Sequence, residues 1–343
     1  MRNLFGWLLF LSAVAVWSVP QAVQAADYKP EYRLSTVYGK PFPWGAAGER
    51  WAELVKELTS GRINIKCYPG ASLVGGDQTK EYTAIRQGGI DMAIGSTINW
   101  SLHVKELNIF AMPFLIPDYK AIDALTGGEV GRGMFKILES NDIVPLAWGE
   151  NGFRELSNSK KDIRKPADLR EMKIRVIGSP LLMEAFSAMG AAPIQMRWAE
   201  AVPALASGAV EGQENPLTVF TVAKLPSAAN QKNLLLWEYA AEPLIFAVNK
   251  EVWKSWKPED QRAVREAAVQ AGKENIAAAR KGLVPPDSAL VKAVEGLGVK
   301  VVQLTDHERA EFRKITRPVY DKWAEKIGPD LVKKAEESVV RRK

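Results

Sequence analysis

Residues 32–96 read YRLSTVYGKPFPWGAAGERWAELVKELTSGRINIKCYPGASLVGGDQTKEYTAIRQGGIDMAIGS, and the hydrophobic period switches back and forth along them. YRLSTV (32–37) has strand character. AAGERWAELVKELT (46–59) places Trp51, Leu54, Val55 and Leu58 on one helical face, and Ser60-Gly61 closes it. RINIKCYP (62–69) alternates as a strand, DQTKEYTAIRQGG (77–89) starts a helix on Asp77 and ends it in glycines, and IDMAIGS (90–96) is a short apolar strand. A βαβαβ order of this kind predicts a parallel sheet with helices on both faces.

The pattern repeats further along. IVPLAWGE (143–150) and KIRVIG (173–178) read as strands, and PADLREM (166–172) and PLLMEAFSAMG (180–190) as helices. AEAVPALAS (199–207) reads as a helix with Pro203 in its first turn. AVEGQEN leads from a strand, and PLTVFTVAKL begins the next helix. PLIFAVNKEVW (243–253) returns to strand character, and residues 258–283 form one helix of about 39 Å at 1.5 Å per residue, long enough to brace two domains. Two α/β units therefore follow one another, with a boundary near Gly149–Arg154. The expected division is a first domain of residues 26–150 plus about 241–257, a second of 151–240 plus about 284–305, the helix 258–283 spanning both, and a C-terminal helical segment 306–343.

The N-terminus sets the compartment. One cation, Arg2, precedes the apolar run LFGWLLFLSAVAVWSV (4–19), and Val23 and Ala25 are the small residues that a signal peptidase reads. A cleavable export signal, residues 1–25, is expected. A membrane anchor is the alternative, but the run is short of the roughly 20 residues of a spanning helix and lacks a basic stop-transfer flank. The 318 residues left suffice for two domains, and the mature chain is expected in the periplasm, not as an integral membrane protein.

Composition narrows the function. The 343-residue chain is 47% hydrophobic and 25% charged, as a globular protein is. Cys67 is the sole cysteine, so no internal disulfide can form, and it reads as a thiol on a strand. His103 and His307 are the only histidines, which argues against a histidine-rich metal site and a hydrolytic triad. The net charge of +6 is spread, apart from the tail VVRRK, and no basic helix carries interleaved aromatics, so nucleic acid is not an expected partner. A mild positive field draws small anions toward a cleft.

The run NGFRELSNSKKDIRKPADLREMKIRV (151–176), followed by MGAAPIQMRWAEAVPALASGAVEGQENP (189–216), resembles the solute-binding proteins of tripartite ATP-independent periplasmic (TRAP) transporters, the DctP type. ELTSGRINIKCYPGASLVGGDQTKEYTAIRQGGIDMAIGS and FAMPFLIPDY fit the same family. The resemblance implies an α/β, two-domain periplasmic binding protein, type II-like. It would have a central ligand cleft, crossover strands and a long bracing C-terminal helix. It also implies an ionic anchor for a small organic acid, a carboxylate or a sulfonate, and delivery of that acid to the membrane permease subunits.

In that family the arginine of the KxRV strand clamps the ligand carboxylate, and here it is Arg175. A guanidinium offers a rigid fork to a carboxylate. Read locally, Arg175 could equally serve a structural salt bridge; the resemblance points to the ligand. Arg154 of NGFRE matches a second cleft arginine, the alternative being an exposed loop arginine near the hinge. Asn215 of EGQENP (211–216) matches a family asparagine that donates to the same carboxylate, and Trp198 matches an aromatic beside the ligand, the alternative being a core tryptophan. Glu214 counts among the candidate ligand contacts, and it and Gln213 are expected to hold the loop or support the arginines rather than to perform acid/base work. Acid/base work by Glu211 and Glu214 would need partners that the sequence does not offer. Oxygen ligands gathered here could also hold a cation, but the chain is expected to bind neither metal nor cofactor.

From the first domain, Ser96, Thr97 and Asn99 end the strand IDMAIGS, and Ser35, Thr36 and Trp44 follow the first strand, where ligands of open α/β sheets lie. Tyr239, in WEYAAEP, takes a position with a different polar residue in many relatives. Sialic-acid-binding relatives carry glutamate where this chain has Ser96, so sialic acid is not the expected ligand. Trp44, Trp100, Trp148 and Trp198 are placed near the cleft edges and favour a compact pocket. An exported lyase or hydrolase, and a sensor feeding a membrane receptor, are the alternative functions.

Overall fold

The computed structural model describes residues 28–341. The expected export signal and the last two residues lie outside them. Eleven strands are described: β1 (Tyr32–Ser35), β2 (Ile65–Tyr68), β3 (Met92–Ser96), β4 (Ile143–Phe153), β5 (Glu155–Asn158), β6 (Lys173–Val176), β7 (Ala192–Gln195), β8 (Gly212–Asn215), β9 (Asn233–Leu236), β10 (Ala241–Asn249) and β11 (Lys300–Gln303). They form two sheets, ordered β2-β1-β3-β10-β4 and β11-β9-β5-β8-β6-β7.

The opening stretch folds as its period demands. The helix Pro43–Leu58 starts three residues before the predicted one, because Pro43 occupies a first-turn position already shaped for it. Trp51, Leu54 and Val55 are buried, each aliphatic contributing about 1.5–3 kcal/mol, whereas Leu58 is 42% exposed. The predicted helix 77–89 is shorter, with a 3-10 turn at Gln78–Lys80 and an α-helix over Glu81–Arg86.

The expectation of a parallel sheet holds for the strands of residues 32–96 and needs correction for the sheet as a whole. β1 is parallel to β2 and β3, but β10 runs antiparallel to both β3 and β4. The second sheet is mixed too, with β5 antiparallel to β8 and β9. The cause is the crossing of the chain between lobes. It leaves the first sheet through β4 and enters the second as β5, and it returns from β9 into β10. The two crossings are joined where the Arg154 amide donates to the Ala240 carbonyl at 2.9 Å. Arg154 and Tyr239 thus sit in the connections between the sheets.

Two further corrections concern the second lobe. Pro203 lies inside the helix Trp198–Ser207, not in its first turn. GQEN is itself strand β8, buried at every position; the apolar ALASGAV before it ends a helix and turns. A strand of polar residues survives burial only when each side chain finds a partner, which marks β8 as a site strand.

The long helix, Pro258–Arg280, lies along Pro43–Leu58 and β4. Gly272 permits this, since a Cβ there would come 2.4 Å from the Trp148 carbonyl oxygen. Beyond the helix, Leu283 reaches the apolar cluster of the second lobe. The helix Asp306–Ile327, opened by the Thr305/Glu308 capping box, packs on Pro180–Ala188, and the last helix, Pro329–Arg341, packs on Tyr119–Gly127 of the first lobe. Among the described residues no helix is long and apolar enough to cross a membrane.

Candidate functional site

β6 places Ile174 and Val176 in the core and turns Arg175 to the other face, where it is 1% exposed. Its Nε and Nη2 both donate to the Met196 carbonyl oxygen, at 3.1 and 2.8 Å. Its Cζ lies 5.9 Å from the ring centroid of Trp198. Among the described residues Arg175 makes no ion pair and Nη1 has no acceptor. Burial therefore pulls its pKa down, with Glu214 opposing from a distance.

Arg154 is the opposite case. It is also buried, so the exposed-loop alternative does not hold. Its Nε and Nη2 grip the Glu214 carboxylate and its Nη1 donates to Glu242 Oε2. Nη2 also reaches the Glu214 carbonyl at 2.7 Å and Asn215 Oδ1 at 3.3 Å. The two carboxylates raise its pKa against the effect of burial.

Glu214 was expected among the ligand contacts. The structure fills its four acceptor directions with protein donors: Arg154 twice, the Ile177 amide at 3.1 Å and the Tyr239 hydroxyl at 2.9 Å. Glu214 and Tyr239 are therefore supports for Arg154, and burial together with Glu214 keeps the Tyr239 phenol protonated. Asn215 donates from Nδ2 to Gln213 Oε1 at 2.6 Å, which leaves it one further N–H.

The first lobe closes the other side. Ser96 caps the short helix Thr97–Trp100 by accepting from the Ile98 and Asn99 amides, and it donates to Glu242 Oε1 at 2.5 Å. Thr97 donates to the Pro243 carbonyl at 3.0 Å. Asn99 is buried with Oδ1 unpartnered. Trp44 donates Nε1–H to the Ile94 carbonyl at 2.9 Å and meets Tyr38 edge-on at 5.4 Å. Trp100 and Trp148 were placed at the cleft edges and are not there. Trp100 packs edge-on against Tyr82, and Trp148 lies between Phe110 and Phe135.

Three residues were missed. Tyr38, buried in the loop after β1, meets Trp198 edge-on at 5.3 Å and donates to Asn215 Oδ1 at 3.3 Å. Burial and then Glu242 push its pKa well up, while Arg154 and Arg175 oppose. Glu242, at a register shift in β10, accepts from Ser96, Arg154 and, at 2.8 Å, Asn151 Nδ2. Its signal was in the sequence, as the lone carboxylate of the mainly apolar AEPLIFAVN. Glu81 is buried and, among the described residues, only the Ser35 hydroxyl donates to it while Oε2 is unpartnered. Burial pushes its pKa up to about 7.

Two lobes joined by paired crossings, with a buried and unpaired guanidinium between them, are built to enclose an anion. Among the described residues no cluster of three or more His, Cys, Asp or Glu could hold a metal ion. A pocket of about 280 Å³, lined by Tyr119, Asn151, Phe153, Glu155, Pro216 and Leu217 among others, includes neither arginine. The arrangement defines a class, the two-lobed solute-binding protein.

The family follows from comparison. Residues 34–326 match the bacterial extracellular solute-binding proteins, family 7, the DctP family, and the chain belongs to it. It is 29% identical over 334 residues to the 2,3-diketo-L-gulonate-binding periplasmic protein YiaO of Escherichia coli K12, covering 96% of this chain and 97% of the relative. A TRAP periplasmic solute binding protein from Ralstonia eutropha H16 superposes with a TM-score of 0.91 at 61% identity, covering 92% of this chain and all of the other; it holds (S)-2-hydroxy-2-methyl-3-oxobutanoate, (S)-2-acetolactate. The sugar acid binding protein DctPAm of Advenella mimigardefordensis, bound to galactonate, gives a TM-score of 0.85 at 25% identity, covering 92% and 100%. This chain is a TRAP-type solute-binding protein, of a family whose members transport solutes and work in the periplasm.

Proposed function

We propose that the chain captures a small organic acid bearing a 2-hydroxy or 2-oxo group, with (S)-2-acetolactate as the leading candidate, and delivers it to the permease of a TRAP transporter. One observation carries the reading. Among the described residues Arg175 is buried beside Trp198 with only a backbone carbonyl as acceptor, while its neighbour Arg154 already has two carboxylates. A desolvated guanidinium without a counter-charge is costly, and a ligand carboxylate supplies one. Trp198 and Tyr38 exclude water and strengthen the pair. The acetolactate held by the 61% identical relative supports the choice of acid. Export by a signal cleaved after Ala25 places the chain where such a permease collects its solute. No step of bond making is assigned to any residue.

Titration calorimetry of the mature protein with (S)-2-acetolactate tests this. Binding in the micromolar range or tighter is expected, weakened about 100-fold or more in Arg175→Ala, the scale of a buried charge pair broken on one side. Equal affinity in the variant would remove Arg175 as the anchor. Mass spectrometry of the recovered ligand should show it unaltered.

A further inference from the structure

We propose that Glu242 restricts this site to ligands carrying a single negative charge. The inference rests on Arg175 as the anchor and goes further, to the charge class of the acid.

Two arginines and two glutamates gather in the site, and each is at most 1% exposed: Arg154, Arg175, Glu214 and Glu242. The two cations are unequally matched. Glu214 takes Nε and Nη2 of Arg154 in a two-pronged grip, reinforced by its own backbone carbonyl. Glu242 adds a second carboxylate to the same guanidinium. Orienting Arg154 does not require it, and Glu242 is held by other donors besides, Ser96 from the first lobe and Asn151 from β4. Among the described residues its charge therefore leaves the site no cation in reserve beyond Arg175. The first ligand carboxylate is matched by Arg175. A second would enter a water-excluded space with no guanidinium left to meet it, close to the carboxylate of Glu242. The guanidinium of Arg154 that holds Glu242 also donates to Asn215 Oδ1, the atom that accepts from the Tyr38 hydroxyl, so the charge of Glu242 lies one side chain away from the contact between the lobes. Like charges brought together out of water exclude a ligand that shape alone would admit.

The test compares acids of one shape and different charge. (S)-2-Hydroxy-2-methyl-3-oxobutanoate has one carboxylate. In 2-hydroxy-2-methylpropanedioate an oxygen replaces the acetyl methyl and adds a second. The half methyl ester of the latter has one charge again. On the wild type, near neutral pH, the monoanion and the half ester should bind and the dianion should bind about 100-fold more weakly. In Glu242→Gln, which keeps one oxygen to accept from Arg154 and Asn151 and turns its amide toward the Ser96 hydroxyl, the ratio of the two affinities should narrow at least tenfold, roughly the effect of one nearby charge. A dianion within about threefold of the monoanion on the wild type overturns the proposal, as does a ratio unmoved in the variant. A half ester that fails like the dianion overturns it as well, because size and not charge would then be the barrier. If the variant does not fold, the half ester on the wild type still decides whether charge excludes the dianion. If the wild type binds none of the three, the organic-acid reading falls and takes this restriction with it.

Discussion

Tyr38, in the loop after β1, donates its hydroxyl hydrogen to Oδ1 of Asn215 on β8, 3.3 Å away, and so ties the first lobe to the second inside the site. The same ring stacks on Phe42 at 4.7 Å and meets Trp198 edge-on, so its aromatic body would stay in place without the hydroxyl. Tyr38→Phe should therefore act on the closed arrangement alone. A net hydrogen bond of about 1 kcal/mol predicts organic-acid affinity reduced about threefold to tenfold. Titration calorimetry measures it, and an unchanged affinity would show that the hydroxyl does not contribute to closure.

Replacing Arg175 by methionine separates binding from stability. Burial disfavours the charge of Arg175, and a backbone carbonyl is its only acceptor among the described residues. Arg175→Met should lose the ligand and yet leave the ligand-free protein as stable as the parent, or up to about 2 kcal/mol more stable, because a buried charge yields to an apolar side chain of similar length. Urea unfolding without ligand is the measurement. A clear loss of stability would mean that the guanidinium is structural.

The sequence carried the order of elements better than their pairing. β1, β2 and β3 were legible because each alternates or runs apolar over a short span bounded by glycine. That β10 would insert antiparallel beside β3 was not, since Ser96 and Glu242 lie 146 positions apart and local periodicity is blind to that distance. Glu242 was missed for the same reason. Its partners Ser96, Asn151 and Arg154 are all remote in sequence, so the lone carboxylate of an apolar strand was visible but what it holds was not. Arg175 and Arg154 were both named from the family pattern, but only coordinates separate the unpaired cation from the paired one. Trp100 and Trp148 show the converse error, because an aromatic near a strand end reads alike whether it faces a cleft or a core.

Glu81 should make stability depend on pH. Its folded pKa lies near 7, against an ordinary 4.5. Its contribution is fully present below about pH 4.5 and is lost as pH rises through 7, because the unfolded chain releases the proton that the folded one retains. The loss is about 3 kcal/mol at 1.36 kcal/mol per unit. Urea unfolding of the wild type and Glu81→Gln at pH values on either side of this window should show the variant gaining on the parent by that order as pH rises. A constant difference between the two would mean that the carboxyl ionises normally.

Arg280, at the end of the long helix, holds β4 just before it crosses between the lobes. It donates to both oxygens of Glu150, from Nε at 3.0 and 3.1 Å and from Nη2 at 2.6 Å, and it lies 4.9 Å from the Tyr119 ring centroid. Glu150 is 1% exposed, and burial raises its pKa despite Arg280. The exposed Asp123 completes the guanidinium's contacts. Arg280→Ala strands the Glu150 carboxylate and should cost about 3–4 kcal/mol, whereas Asp123→Asn, at a solvated partner, should cost well under 1 kcal/mol. The decisive measurement is a double-mutant cycle by urea unfolding. In a Glu150→Gln background the stranded charge no longer exists, so Arg280→Ala should cost only about 1–2 kcal/mol, a coupling of about 2 kcal/mol. Additive losses would show that Arg280 stabilises this end of the helix through Tyr119 and packing, and that the ion pair with β4 is incidental to how the crossing is held.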